Sequence, residues 1–286
     1  MPELPEVETI VRGLREPLFG RKFTGVRVGW ENLVARPRPD GSTSSPRRLA
    51  EGPAVEEFER GLVGQRILDV KRRGKYLVFA LSGGESLIVH LRMTGRLLIK
   101  NCDDELDKHD HLIFELDDGR ELRFNNMRKL GRVYLVDDED EIVGGLGPEP
   151  LDDDFAPADF AALLSGRRGM IKPLLLNQRF VAGIGNIYAD EALFAARIHP
   201  ERRANTLRGE EVKHLYHAIR QVLAQGIQNR GTTLSDYLDA EGREGRNQEH
   251  LRVFRRVGQP CPRCGTPIKR TVVGGRGTYF CLRCQK

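Results

Sequence analysis

The sequence predicts an α+β protein in which a helix and a β-sandwich come first, a helical region follows, and a small four-cysteine β-hairpin ends the chain. Apolar residues recur with helical spacing near the N-terminus, and again from Phe160 to about residue 240. Between these regions, short apolar runs alternate with turn residues, which is typical of strands. The length of 286 residues allows more than one hydrophobic core. We therefore expect domains at 1–140, 141–240 and 241–286.

The first helix is predicted directly behind the N-terminus. Pro5 suits its first turn, where Glu6 and Glu8 place negative charge at the positive end of the helix. Its apolar positions are Val7, Ile10, Val11, Leu14 and Leu18. Their spacing puts them on one face, which we expect to be buried.

Strands are predicted from Phe23 onwards. The proline- and serine-rich segment 36–46 indicates a surface loop. The clearest hairpin has its turn at Ser82–Glu85. The expected strands beyond Phe23 lie at 76–81, 87–91, 112–116, 121–124 and 132–136.

Charge is distributed unevenly along the chain. Residues 137–154 carry nine acidic groups and no basic one, which predicts a solvated connector. Residues 243–286 carry eleven Lys or Arg against two acidic residues, a net charge of +9. Such a basic segment favours a polyanionic partner, and nucleic acid is the usual one.

Composition indicates a cytoplasmic protein with no membrane partner. Hydrophobic residues make up 39% of the chain and charged residues 30%. No apolar run approaches the ~18 residues of a membrane span. The N-terminus lacks the basic flank and apolar segment of a secretory signal, so we expect reduced thiols.

The N-terminus is the first candidate for chemistry. If Met1 is removed, Pro2 begins the chain with a free secondary amine, which can add to a sugar aldehyde carbon and give an iminium. Glu3 follows and can move protons at the same carbon. The positive end of the first helix favours the neutral, nucleophilic amine. An ordinary helix cap behind a Met-Pro start explains the same residues.

Four cysteines near the C-terminus are the second candidate. Cys261 and Cys264 form one Cys-x-x-C pair, and Cys281 and Cys284 form another after sixteen intervening residues. Four thiolates at this spacing predict a tetrahedral zinc site with no open position, hence one structural ion. Two disulfides are the alternative, which a reducing compartment disfavours. The glycine-rich residues between the pairs suit a β-hairpin, and Arg276 at its turn is either a phosphate ligand or a solvated arginine.

Weaker motifs also point to phosphate. Gly183–Glu191 places glycines before a helix start, where backbone N–H groups and Asn186 can bind phosphate, although helix packing explains the glycines equally well. Lys75 follows two arginines and a glycine at a strand entrance, where a solvated turn is the commoner explanation. Met93 at a glycine turn is either core or a wedge in a base stack. His109 suits a phosphate better than a metal, because no further ligand lies near it in sequence.

Together these segments resemble bacterial formamidopyrimidine-DNA glycosylases. The matching segments are MPELPEVET at 1–9, RRGKYL at 72–77, HLRMTG at 90–95, KHDH at 108–111, LGPEPL at 146–151, GIGNIYADEALFAARIHP at 183–200, GTTL at 231–234 and the four-cysteine finger. They follow one another from one end of the chain to the other. The resemblance implies an N-terminal β-sandwich, a helix–two-turn–helix module and a zinc finger, with damaged double-stranded DNA as the partner.

The resemblance also implies a bifunctional base-excision-repair enzyme that removes 8-oxoguanine and formamidopyrimidines and cleaves the strand by β,δ-elimination. It makes Pro2 the nucleophile on sugar C1′ and Glu3 the proton donor. It assigns Lys75 to phosphate binding and β-elimination, and Arg276 to the lesion phosphate and δ-elimination. The DNA contacts that it implies are His90, Met93, His109, Arg128, Arg167 and Asn186. One chain carries a complete site, so we expect a monomer in the bacterial cytosol, associated with the nucleoid.

The chain departs from the family pattern at the wedge. The family usually has Asp-Pro-Arg-Arg-Phe-Gly where this chain has Asn-Met-Arg-Lys-Leu-Gly at 126–131. Leu130 supplies apolar bulk but cannot stack as an aromatic ring does, which predicts slower lesion recognition or an altered opposite-base preference. The acidic stretch 101–107 and the pair Arg246-Asn247 also depart from the family, so the substrate range is less defined than the reaction class.

Two other functions compete with this interpretation. One is the endonuclease VIII type, which removes oxidised pyrimidines with the same terminal amine. Leu4 and the Val7–Thr9 segment favour the purine enzyme. The other is a catalytically silent DNA-binding homologue, which the intact Pro2, Glu3 and Lys75 disfavour.

Overall fold

The computed structural model describes residues 1–35 and 53–286. The surface loop expected at 36–46 lies outside the described residues. Among the described residues, no helix combines the length and the hydrophobicity that crossing a membrane requires.

The described chain divides into two compact units. The first consists of Met1–Gly145 and Arg230–Gly245, and the second of Leu146–Asn229 and Arg246–Lys286. Antiparallel sheets and most of the helices occur in separate stretches of sequence, so the α+β prediction is confirmed.

In the residues described, two four-stranded antiparallel sheets form the body of the first unit. Their strands are β1 (Phe23–Val28), β2 (Ile67–Arg73), β3 (Tyr76–Leu81), β4 (Ser86–His90), β5 (Gly95–Asn101), β6 (Asp110–Leu116), β7 (Arg120–Asn126) and β8 (Arg132–Val136). One sheet has the order β1-β6-β7-β5 and the other β2-β3-β4-β8. A single hydrophobic core takes side chains from both sheets, including Phe79 of β3 and Phe114 of β6. The predicted β-sandwich is present.

The sequence did not predict β2 and β5. In β2 the pairing register shifts between Ile67 and Asp69, so the buried positions Ile67 and Val70 are three residues apart rather than two. β5 begins at a glycine and ends at the exposed Asn101, which leaves only a short apolar run. Both strands therefore lack the alternation on which a sequence prediction depends.

Three α-helices lie in the described part of the first unit. They are α1 (Leu4–Leu18), α2 (Pro53–Leu62) and α3 (Asp140–Val143). The predicted apolar face of α1 is buried in the core of the sandwich. The expectation of a fully solvated connector at 137–154 was wrong in part, because Ile142 and Val143 fold into α3 and are buried.

The second unit, all of which is described, contains the remaining helices and a hairpin. The helices are α4 (Pro157–Leu164), α5 (Ile171–Leu176), α6 (Asn186–Ala195) and α7 (Gly209–Gln228), and the hairpin strands are β9 (Lys269–Val273) and β10 (Arg276–Phe280). The last α-helix ends at Gln228, earlier than the expected residue 240. Residues 230–245 belong instead to the first unit, where Ala240 joins the sandwich core.

Close packing of α6 against α7 predicts an asymmetry between two glycines of α7. A Cβ at Gly226 would lie 2.6 Å from ring atoms of Tyr188, whereas a Cβ at Gly209 would meet nothing within 4 Å. We expect Gly226→Ala to lower the free energy of unfolding by about 1–3 kcal/mol through overpacking. The matched Gly209→Ala variant should be neutral or slightly stabilised. Urea denaturation measures both, and equal midpoints for the two variants would contradict the packing.

Candidate active site and nucleic-acid interface

A buried carboxylate fixes the start of α1. The main-chain N–H of Glu3 donates to Oε2 of Glu6 at 2.8 Å, and the N–H of Thr232 donates to Oε1 at 2.8 Å. Pro2 and Glu3 are buried directly ahead of the helix, whereas Met1 is 52% exposed. Glu6 thus holds the first residues of α1 against the segment that carries Thr232, and the positive end of the helix faces Pro2.

Lys75 lies in the tight turn between β2 and β3 and is buried. Gly74 precedes it with φ +56°, a conformation that favours glycine. Arg72 fixes the turn, because its Nε donates to Oε2 of Glu8 at 3.0 Å and its Nη1 donates to the carbonyl of Gly74 at 3.2 Å. Glu8 belongs to α1, so the Lys75 turn is tied to the helix that begins behind Pro2.

The Glu8 carboxylate remains charged in this contact. Burial by itself raises the pKa of Glu8, but hydrogen bonds and charge from Arg12 and Arg72 outweigh burial and lower the pKa below its usual value. The ion pair between Glu8 and Arg72 is therefore maintained at neutral pH.

His90 ends β4 as a buried, neutral imidazole. Its Nδ1 accepts from the N–H of Arg92 at 3.0 Å, and its ring meets Tyr76 edge-on with centroids 4.5 Å apart. Burial, followed by the charges of Arg92 and Lys75, holds the pKa of His90 well below its usual value. With Nδ1 accepting, Nε2 carries the proton and is a donor, which is what a phosphate oxygen requires.

Met93 and Arg128 lie on neighbouring connections between strands. Met93 is 44% exposed, which excludes the core alternative. Nη1 of Arg128 donates to Sδ of Met93 at 3.6 Å, and the N–H of Arg128 donates to Oγ1 of Thr94 at 3.1 Å. Leu130 follows on the same connection and is also 44% exposed. The structure thus brings the predicted wedge residues together at the surface.

His109 is hydrogen-bonded to Asn126, the residue that precedes the connection carrying Arg128. Its carbonyl accepts from the N–H of Asn126 at 2.9 Å, and its ring meets His111 edge-on with centroids 6.1 Å apart. In the described part of the chain, no group of three or more potential metal ligands includes either histidine. His109 is therefore placed beside the connection that carries Arg128, without a metal cluster around it.

Asn186 and the Arg276 hairpin meet in the second unit. Nδ2 of Asn186, the first residue of α6, donates to the carbonyl of Gly277 at 2.9 Å. Arg276 is exposed and follows Gly274 and Gly275, whose φ angles of +56° and +74° close a tight hairpin turn. Asn186 is thus bonded to the residue that follows Arg276 in the hairpin.

Lys172 and Asp190 form a buried ion pair beneath this hairpin, and the sequence did not predict it. Nζ of Lys172 lies 2.7 Å from Oδ1 of Asp190 and donates to Oγ1 of Thr278 at 2.7 Å and to the carbonyl of Gly277 at 3.1 Å. Oδ2 of Asp190 accepts from the N–H of Tyr279 at 2.9 Å. The pair therefore holds three consecutive residues of β10 against α6.

The carboxyl group of Asp190 has a raised pKa. Burial raises its pKa to about 7, and the nearby Lys172 opposes that rise. Asp190 lies in the Gly183–Glu191 motif, but no local pattern indicated that it is half of a buried ion pair. Lys172 could not be predicted as its partner from local sequence, because the residues that it bonds are distant; Thr278, for example, lies 106 residues away.

Arg167 is exposed on the connection between α4 and α5. None of the contacts found among the described residues joins it to another predicted site residue.

The four cysteines of the C-terminal segment form one cluster. Their Sγ atoms all lie within 4.8 Å of one another, with Cys261 and Cys284 at 3.9 Å and Cys264 and Cys281 at 3.5 Å. Zn–S bonds of about 2.3 Å in a tetrahedron place sulfur atoms about 3.8 Å apart. The cluster therefore fits a single zinc ion.

The family of the chain follows from three sequence models. A formamidopyrimidine-DNA glycosylase N-terminal domain model matches residues 1–133, and the H2TH domain model of the same enzyme matches 146–237. The chain belongs to the formamidopyrimidine-DNA glycosylase family. A model for the zinc finger found in FPG and IleRS matches residues 258–286, which confirms the zinc prediction.

Relatives of this family match the chain over its whole length. The formamidopyrimidine-DNA glycosylase of Herpetosiphon aurantiacus is 49% identical over 288 residues, covering 100% of both chains. That of Pelotomaculum thermopropionicum is 47% identical over 290 residues, covering 100% of this chain and 99% of the relative.

Solved structures of the family superpose on the protein. The MutM (Fpg) protein of Thermus thermophilus has a TM-score of 0.85 at 41% identity, covering 99% of this chain and 98% of that one. Lactococcus lactis Fpg in complex with DNA containing an abasic site has a TM-score of 0.87 at 35% identity, covering 99% of each chain. The same L. lactis protein with Fapy-dG-containing DNA has a TM-score of 0.85 at 34% identity, covering 99% of this chain and 100% of that one.

The cysteine geometry predicts the metal content. We expect dialysed protein to retain about one zinc per chain, measured by plasma mass spectrometry. Cys281→Ala removes a buried ligand and should abolish stoichiometric zinc. Cys102→Ala, an exposed thiol outside the cluster, should leave zinc unchanged. Full zinc in the Cys281→Ala protein would exclude the four-thiolate site.

The low pKa of His90 predicts a pH-dependent stability. Between its unfolded pKa near 6.5 and its lower folded pKa, the unfolded chain binds a proton that the folded protein excludes. Stability should therefore fall as pH drops below 6.5, by at most about 1.4 kcal/mol per pH unit from this group.

His90→Gln should remove that part of the slope, measured by urea denaturation between pH 7.5 and 5. His217→Gln, an exposed histidine of α7, is the control and should keep the wild-type slope. Parallel pH profiles for wild type and His90→Gln would refute the burial effect.

Proposed function

We propose that this protein removes oxidised purines from double-stranded DNA and then cleaves the resulting abasic site. The observation that carries the proposal is the buried Pro2–Glu3 pair at the positive end of α1, held by Glu6. Membership of the formamidopyrimidine-DNA glycosylase family supports the substrate class, as do the structural relatives bound to Fapy-dG and abasic-site DNA.

Pro2 supplies the nucleophile once Met1 is removed. The lone pair of its secondary amine forms a bond to sugar C1′ as the bond between C1′ and the damaged base breaks, and the proton that the amine loses balances the negative charge of the departing base. Glu3 donates the proton that allows the sugar ring to open at O4′, and the C1′–nitrogen bond becomes an iminium. The positive end of α1 favours the neutral amine before attack, because it repels the protonated form.

Strand cleavage follows from the same iminium. It withdraws electrons from C1′, so a proton leaves C2′ and the C3′–oxygen bond breaks in β-elimination. A second elimination breaks the C5′–oxygen bond and frees the sugar from the DNA, and water then hydrolyses the iminium and releases the sugar from Pro2. We assign Lys75 to phosphate binding and proton transfer in the first elimination, and Arg276 to the lesion phosphate and the second elimination. The fixed turns around both side chains support these positioning roles.

The remaining predicted residues grip the DNA. His90 and Asn186 offer neutral N–H donors to phosphate, and His109 and Arg167 add further DNA contacts. Met93 and Arg128 fill the space that the flipped nucleotide leaves. The binding free energy of these contacts offsets the few kcal/mol that flipping a nucleotide out of the duplex costs. The net charge of +5 suits a polyanionic partner.

We also propose a working organisation of the chain. Residues 1–140 act as the catalytic part, 141–240 as the helix–two-turn–helix DNA-binding part and 241–286 as the zinc finger. One chain supplies every assigned residue, so the active form is a monomer. Its substrate places it at the nucleoid in the bacterial cytosol.

Borohydride trapping tests the nucleophile. On a duplex containing 8-oxoguanine, reduction should convert the iminium into a stable protein–DNA adduct. Pro2→Gly should lose the adduct, whereas Pro5→Ala, at a proline in the first turn of α1, should keep it. Mass spectrometry should show that the trapped chain lacks Met1.

Two results would count against the proposal. Wild-type yield of adduct with Pro2→Gly would mean that another amine attacks. Faster release of thymine glycol than of 8-oxoguanine by wild type would indicate the endonuclease VIII type instead.

A further inference from the structure

Two connections between the sheets of the first unit lie side by side. Residues 91–94 join β4 to β5, and residues 127–131 join β7 to β8. Both ends of the connections are paired, because β4 pairs with β8 and β5 pairs with β7. At one end His90 lies opposite Arg132, and at the other Gly95 lies opposite Asn126. The two connections therefore form one surface feature, which we call the paired turns.

The paired turns are held in a defined conformation. A Cβ at Gly131 would lie 2.2 Å from Nδ2 of Asn126, and a Cβ at Gly95 would lie 2.4 Å from the carbonyl oxygen of Leu91. Each connection also contains a non-glycine residue with positive φ, Arg92 at +55° and Lys129 at +54°. Such conformations cost energy and are kept only where the surroundings impose them.

A cation–π contact anchors the second connection from the outside. Nζ of Lys129 lies 4.2 Å from the ring centroid of Trp30, the only tryptophan of the chain. The backbone of Trp30 is also held, since its main-chain N–H donates to the carbonyl of His111 at 3.2 Å. The emission of this single tryptophan therefore reports on the conformation of the 127–131 connection.

Three apolar side chains project into solvent from this rigid feature. Met93 and Leu130 are each 44% exposed, and Met127 is 51% exposed. Their neighbours on the same connections include Arg92, Arg128 and Lys129, so the apolar side chains stand among cations. Proteins that insert side chains between DNA bases use apolar residues for the insertion and nearby cations to bind the phosphates. The paired turns have this combination of residues.

We propose that Met127 is a specificity-determining residue that enters the base stack with Met93 and Leu130 when a damaged nucleotide leaves the duplex. This inference rests on the proposed function. A leucine is short and branched, and Leu130 alone fills little of the space of a missing base. Methionine is unbranched and adaptable, so Met127 can supply apolar contact further from the backbone. Met127 thus adds to Met93 and Leu130 the apolar volume that the gap requires.

Kinetics on two substrates test the role of Met127. Met127→Ala should slow single-turnover excision of 8-oxoguanine about tenfold, the scale of losing one buried methionine contact. The rate at which Met127→Ala cleaves a duplex with a preformed abasic site should fall far less, because no base has to be unstacked. Leu68→Ala, a comparable 49% exposed apolar residue on β2, should match wild type on both substrates.

Further variants separate apolar filling from other effects. Met127→Leu should retain most of the excision rate, and Met127→Gln, similar in length but polar, should not. Adding Leu130→Phe to Met127→Ala should restore excision, because one aromatic ring fills the gap. An unchanged Trp30 emission maximum in each free variant shows that the paired turns are intact.

A 2-aminopurine next to the lesion measures unstacking directly. Its fluorescence should rise less, or more slowly, with Met127→Ala than with wild type. Equal unstacking and excision by Met127→Ala and wild type would overturn the inference, as would equal losses on the lesion and abasic duplexes. If wild type excised no 8-oxoguanine, the proposed function would fail on that lesion, and the 2-aminopurine signal would still decide the role of Met127.

Discussion

The arrangement of the first unit depends on the buried carboxylate of Glu6. Each of its oxygens accepts a hydrogen bond from main chain, one from Glu3 two residues after the start of the protein and one from Thr232. A buried carboxylate without such donors is costly, so the two segments must stay in place for the fold to retain Glu6. The N-terminal end of the chain is thereby ordered, although chain ends are usually frayed.

In the second unit, buried charged side chains hold the Arg276 hairpin in place in a similar way. A hairpin of two five-residue strands is marginal on its own. Here the buried Lys172 and Asp190 bond to one edge of β10, and the cysteine cluster packs with Phe194 and Ile268 at its other end. An exposed arginine is thus presented from a turn whose backbone has little freedom.

The sequence predicted those parts of the fold and site whose signals are local. β8 has the bounds that its apolar run indicated, and Pro2, Glu3 and the cysteines were identifiable because their chemistry is encoded in residue type and spacing. β2 was missed because an irregular register hides its alternation. The partners that hold the site were missed for a different reason. Glu6 and Thr232 are 226 residues apart, and no local pattern reports a hydrogen bond across that distance.

The burial of Pro2 beneath an exposed Met1 has a practical consequence for handling the protein. Any affinity tag or fusion partner that stays attached ahead of Pro2 keeps its nitrogen in an amide, whose lone pair is delocalised into the carbonyl. Because Pro2 is packed ahead of α1 while Met1 reaches solvent, such a fusion need not disturb folding. If Pro2 is the nucleophile, as proposed, a fusion protein of this kind would fold and yet form no iminium.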